Sequence, residues 1–208
     1  MKMRRYNKDT EEQILAAAQK IFREKGFHGA KTQEIADEAG INKALLHYYF
    51  GNKALLFEKV FLTSLGDVLA VLGTNLNSDE PLLDKIPKLV ESYIDFISEN
   101  VNLFVFVISE IRQNKEFTDN LIKIPLGKVD FQKFFTQFKQ EVAKGNINDI
   151  HPAHFLLNLV SLCIFPFLGL PIISNMFGAI KIDNSDFKAM RKEQVTKATI
   201  NMLKKQEK

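Results

Sequence analysis

The sequence predicts an all-α protein with a small N-terminal head of three helices and a larger helical body. Three observations carry this. Gly and Pro are few, 10 and 6 in 208 residues, so strong breaks are sparse. Apolar residues recur at helical spacing, and no long alternating strand pattern appears. Caps and glycines fall between these stripes, closely spaced at first and farther apart later.

Taken in order, the first helix is expected from about Thr10 to Lys25. Asp9 and Glu12 have capping-box spacing, and Ile14, Ala18, Ile21 and Phe22 form the buried stripe. Gly26 stops it. A second, short helix opens at Thr32, whose hydroxyl can cap it, and carries Ile35, Ala36 and Ala39 before Gly40. Asn42 caps a third. After "FGNK" a longer apolar helix begins near Asn52 and continues to about Leu72, followed by the loop "GTNLNSDEP". Further helices are expected at Leu83–Glu99, Asn102–Lys115, Leu126–Lys144, Pro152–Leu168 and Ser185–Lys204, with Pro87 in a first turn and Pro125 ending a segment.

Composition narrows the function. Apolar residues make up 46% and charged residues 25%, which is globular and argues against disorder. The single cysteine, Cys163, excludes an intramolecular disulfide and a cysteine zinc site, and fits a reducing cytosol. Its neighbours Leu162, Ile164 and Phe165 suggest a small core hydrophobe. The start, "MKMRRYNKDTEEQ", is basic but leads into acidic residues, so it does not read as a secretory signal. The net charge of +3 is uneven: residues 1–53 hold 10 Lys/Arg against 7 Asp/Glu, and the rest holds 18 of each. The head therefore suits a polyanionic partner.

The run "GINKALLHYYFGNKALL", Gly40 to Leu56, mixes basic, aromatic and leucine side chains. Advancing about 100° per residue brings Leu46 and Phe50 onto one face and sets Ala44 and Tyr48 opposite. His47 and Tyr49 flank them. The inward pair anchors the helix. The outer face fits a DNA major groove: Ala44 lets the backbone approach, and Leu45 can meet a thymine methyl. Tyr48, Tyr49 and His47 can reach phosphates or base edges, and Lys43 and Lys53 supply charge. The preceding "TQEIADEAGIN" supplies a first helix and a tight turn at Gly40.

With these residues in order, the stretch from Thr10 to Phe61 resembles the helix-turn-helix of the tetracycline-repressor (TetR) family of bacterial transcription regulators. Phe22, Gly26–Phe27, Thr32, Ile35–Ala36, Ala39–Gly40–Ile41, Leu46, Phe50 and Asn52–Lys53 carry the likeness. Beyond Leu65 it rests on helical content and length alone. The resemblance implies a DNA-binding domain over residues 8–68, with the helix-turn-helix at about 32–51, and a ligand-binding and dimerisation domain over 69–208. It also implies a homodimeric, cytoplasmic repressor that leaves a near-palindromic operator when a small molecule enters the body. Carried over, Thr32 and Gln33 would meet phosphates, and Lys43, Ala44, Leu45, His47 and Tyr48 would face the groove. Tyr49 and Lys53 would hold the backbone. Leu45 and His47 stand where the family more often has threonine and tyrosine, which leaves the operator sequence open. Arg4 and Arg5, ahead of the first helix, are an arm that either reaches DNA or stays solvated.

The body holds 13 of the 18 phenylalanines, which pack a core or line an apolar effector cavity. Tyr93, Phe96, Phe104, Arg112, His154 and Asn158 are candidate ligand contacts, with Gln113 as a further polar group. "FLLNLVSLCIFPFLGLPII", Phe155 to Ile173, is apolar enough to suggest a membrane span. Asn158 and Ser161 within it, and Pro166 and Pro171 breaking it, favour a buried helix or a dimer seam made with the last helix. His151 and His154 in "HPAH" lack a third ligand nearby and read as helix-start caps, so neither a metal nor a cofactor is expected. No phosphate-cradling loop, nucleophile elbow or carboxylate cluster points to an enzyme. The rival reading is a helical small-molecule-binding or membrane-associated protein with an incidental three-helix head.

Overall fold

The computed structural model describes residues 2–113, 129–176 and 184–204, and every regular element among them is an α-helix. In chain order these are α1 (Lys2–Gly29), α2 (Thr32–Glu38), α3 (Lys43–Phe50), α4 (Lys53–Leu76), α5 (Leu82–Glu99), α6 (Val101–Gln113), α7 (Phe131–Ala143), α8 (Pro152–Met176) and α9 (Asn184–Leu203). Contacts gather them into two compact units, Met1–Asp67 with Asn102–Ile124, and Val68–Val101 with Pro125–Lys208.

The first unit is built on α1, whose Ile14, Ala17, Ala18, Ile21 and Phe22 are buried. The helix starts at Lys2, so Asp9 is not its cap and Arg4 and Arg5 lie within it, because nothing in "KMRRYNKDT" breaks a helix. Gly26, at φ 65° and ψ −179°, breaks α1 ahead of its last turn, a conformation that suits a residue without Cβ. Helix α2 opens at Thr32 as expected, but Thr32 is not its cap. Lys31 is the N-cap, its N–H donating to Glu34 Oε2 at 3.4 Å. The side-chain bond from Lys25, 3.1 Å away, also holds the Glu34 carboxyl below its ordinary value. Helix α2 ends in a Schellman turn: Ile41 N–H donates to Ala36 O at 3.0 Å and Gly40 N–H to Asp37 O at 3.1 Å. Gly40 takes the required positive φ of 65°. Below these helices, Phe57 of α4 gathers the rings of Phe22 and Phe27, at 5.0 and 4.9 Å, and Phe106 of α6 at 5.9 Å.

In the second unit α5 buries Leu82, Ile86, Leu89, Val90, Tyr93, Ile94 and Ile97. It packs against α7, α8 and α9. Phe134 of α7 packs on Phe138 at 5.8 Å, and Phe138 reaches Phe155 of α8 at 5.5 Å. Cys163 is buried here, and desolvation pushes its thiol up to about 12, as suits a core residue. Pro87 lies in the second turn of α5, not the first.

Two expected breaks are absent. Helix α4 runs on through Gly73 to Leu76, and the Lys85 ammonium, 1% exposed, caps its end by donating to Leu76 O at 3.4 Å and Ser78 O at 2.8 Å. Gln137 Oε1 takes a third Lys85 proton at 2.7 Å. Helix α8 continues through Pro166 and Pro171 to Met176. A proline at 166 leaves the carbonyl four residues earlier without its helical donor. Arg191 of α9 supplies one, its Nη2–H lying 2.9 Å from Leu162 O.

Candidate nucleic-acid interface

Helix α3 is only eight residues long, so its geometry is imposed by its ends and by one anchor. Asn42 caps the start, Oδ1 accepting from Leu45 N–H at 2.8 Å, and Asn52 does the same for α4, accepting from Leu55 N–H at 3.0 Å. Leu46 is the anchor, with no exposed surface. Phe50, expected beside it as an inward residue, is half-buried: it ends α3 at the Gly51 turn, its ring 6.4 Å from Tyr49.

The opposite face is open. Lys43, Ala44 and His47 are exposed, and Tyr48 is 78% exposed. Leu45 and Tyr49 flank that face, half-buried, and the Tyr48 and Tyr49 rings meet edge to face at 5.4 Å. His47 Nδ1 lies 2.7 Å from Gly51 O. A carbonyl only accepts, so Nδ1 carries the proton and the neutral ring keeps Nε2 as an acceptor. Lys53 sits past the turn, its Nζ 4.7 Å from the centre of the Phe27 ring. On α2, Thr32 is half-buried in the first turn. Gln33 is exposed, its amide donating to Asp37 Oδ1 at 2.8 Å. The nine residues expected to contact DNA thus come from α2, α3 and the start of α4 within one unit.

The six effector candidates are divided between the two units. Phe104 is buried and Arg112 exposed on α6, in the first unit. In the second, Tyr93 is buried with its hydroxyl pushed up by desolvation, Phe96 is half-buried, and His154 and Asn158 are exposed on α8. The Asn158 amide lies 3.7 Å from Met202 Sδ. A polar cleft of about 520 Å³ lies elsewhere in the second unit, lined by Asp79, Asp130, Lys133 and Gln137 among others. The sequence reading missed Glu110, Lys85 and Arg191. The signal was a charged residue on an otherwise apolar helix face, as in "LFVFVISEI" and "LLDKIPKL".

A capped, leucine-anchored short helix with an open polar-aromatic face, set after a Schellman turn, defines a DNA-binding helix-turn-helix. Residues 14–60 match the family described as "Bacterial regulatory proteins, tetR family". The transcriptional activator FasR of Mycolicibacterium smegmatis is 30% identical over 88 residues, which span 42% of this chain and 40% of FasR. The icaADBC negative transcriptional regulator IcaR of Staphylococcus aureus is 24% identical over 183 residues, 85% of this chain and 92% of IcaR. The crystal structure of the TetR-family regulator PfmR from Thermus thermophilus superposes with a TM-score of 0.62 at 20% identity, covering 94% of this chain and 99% of that one. Residues 14–60 belong to the tetR family of bacterial regulatory proteins, and the chain is a DNA-binding transcriptional regulator.

Proposed function

We propose that the protein is a cytoplasmic homodimeric repressor whose two α3 helices enter successive major grooves of a near-palindromic operator. A small molecule bound in the body would release it. The observation that supports this reading most is the contrast across α3, where Leu46 is fully buried and Tyr48 is 78% exposed. Thr32, Gln33, Tyr49 and Lys53 would hold phosphates, and Lys43, Ala44, Leu45, His47 and Tyr48 would face bases. Residues 8–68 would form the DNA-binding domain and 69–208 the effector and dimerisation domain. Paired half-sites would lie about 34–36 Å apart.

For the dimer we favour α8 and α9. Leu157, Phe165 and Ile172 on α8 and Met190 on α9 are 61%, 67%, 66% and 63% exposed, a run of apolar surface that a second copy would cover. Pro152–Gly169 is also long and apolar enough to cross a membrane, with a mean hydropathy of 1.6, and 33% of that window is buried. Sedimentation without detergent separates the two readings. A dimer is expected from the natural chain and a monomer from Leu157→Glu with Phe165→Glu. Recovery only in detergent would favour the membrane.

The DNA test uses the duplex that the natural protein enriches from a randomised pool. Tyr48→Ala should weaken binding by about 1–3 kcal/mol and relax specificity. An unchanged affinity and sequence preference would remove α3 from the groove.

A further inference from the structure

Glu110 is a carboxylate on the buried face of α6, 4% exposed, in a helix otherwise rich in apolar residues. Its Oε1 accepts from Phe27 N–H at 3.2 Å. That amide follows Gly26, where α1 breaks, so it stands at a helix start whose N–H groups need outside acceptors. The contact is close: a Cβ added at Gly26 would lie 3.3 Å from the same oxygen. One turn earlier on α6, Phe106 packs on Phe57 at 5.9 Å and Phe61 at 6.0 Å. Phe27 in turn packs on Phe57 at 4.9 Å and carries the Lys53 ammonium over its outer face at 4.7 Å. All these residues belong to the first unit.

Resting on the placement of Lys53 at a phosphate, we propose that Glu110 is a positioning residue for DNA binding. It touches no DNA. By fixing the Phe27 amide it fixes the ring on which Lys53 rests, and so holds that ammonium where the backbone passes. Losing the acceptor frees Phe27 to turn, and Lys53 loses its seat. The effect runs against simple electrostatics, since removing an anion from a DNA-binding unit ordinarily strengthens binding to a polyanion. The amide of Glu110→Gln removes the charge but keeps an oxygen for Phe27. Glu110→Leu keeps the bulk and removes the acceptor.

The test is the slope of log affinity against log salt on the pool-selected duplex, with helix content and melting temperature as folding controls. Lys53→Ala should lower the slope by about 0.9 for each head, the value of one phosphate contact. Glu110→Leu should lower it by the same amount, Glu110→Gln should keep the natural slope, and Glu110→Leu with Lys53→Ala should show no further loss. Where Glu110→Leu fails to fold, Glu110→Met, which also lacks the acceptor, takes its place and is expected to lower the slope likewise. A Lys53→Ala protein with the natural slope overturns both the phosphate assignment and this proposal. A lowered slope in Lys53→Ala with a natural slope in folded Glu110→Leu, or additive losses in the double variant, overturns the proposal alone.

Discussion

The two units set charge on unpaired backbone groups for the same purpose with opposite sign. In the first, the anion Glu110 accepts from an N–H exposed by the break at Gly26. In the second, the cations Lys85 and Arg191 donate to carbonyls, one set at the end of α4 and one opposite Pro166 in α8. The charge follows the backbone group that lacks a partner: the turn after Gly26 presents a donor, whereas the end of α4 and the carbonyl opposite Pro166 present acceptors. A buried charge that completes a backbone ladder is thus an extension of secondary structure, made by a residue far away in sequence.

That comparison breaks first at Lys85. Lys85→Met keeps most of the bulk but strands Leu76 O, Ser78 O and Gln137 Oε1, and should lower stability by about 3 kcal/mol. A Lys85→Met protein that unfolds at the natural urea midpoint would mean that water serves those carbonyls as well. Next comes Arg191, which makes one such bond. Arg191→Met should cost about 2 kcal/mol, and the cost should shrink by about 1 kcal/mol in a Pro166→Ala background. Alanine at 166 restores the N–H that Leu162 O lacks, so the guanidinium is no longer needed there. Equal costs in the two backgrounds, measured by urea unfolding, would show that Arg191 acts by packing alone.

These bonds also mark where the sequence stopped being readable. The head was legible because its determinants are local: Asn42 caps the helix it precedes, Gly40 turns the chain beside it, and Leu46 against Ala44 and Tyr48 is a matter of helical period. Proline at 166 reads as a break by the same local logic. What overrides it is a guanidinium 29 residues on from Leu162, and the acceptor for Phe27 lies 83 residues on from it. The end of α4 moved past Leu72 for the same reason, since Lys85 belongs to the next helix. Phe50 was placed too deep because period alone ignores that it closes α3. The effector candidates rest on a different criterion: polar or aromatic groups in apolar neighbourhoods, which occur in cores, as at Tyr93, and on open helix faces, as at His154 and Asn158.

The smallest effect tests the exposed counterpart of these buried caps. Asn42 is in water, and its bond to Leu45 N–H starts the helix proposed to face DNA. Asn42→Ala should cost about 1 kcal/mol of stability, less than at Lys85 or Arg191, because water partly replaces the lost acceptor. Asn42→Asp separates the two duties of this position. Its carboxylate caps as well and favours the helix start, so stability should hold or rise slightly. The same carboxylate would stand beside Lys43 at the groove, and affinity for the selected duplex should fall below that of the natural protein, most at low salt, where repulsion is least screened. A stable Asn42→Asp protein that binds duplex with the natural affinity at low salt would move the start of α3 away from the DNA, and the head would then approach the groove with Tyr48 and Lys53 foremost.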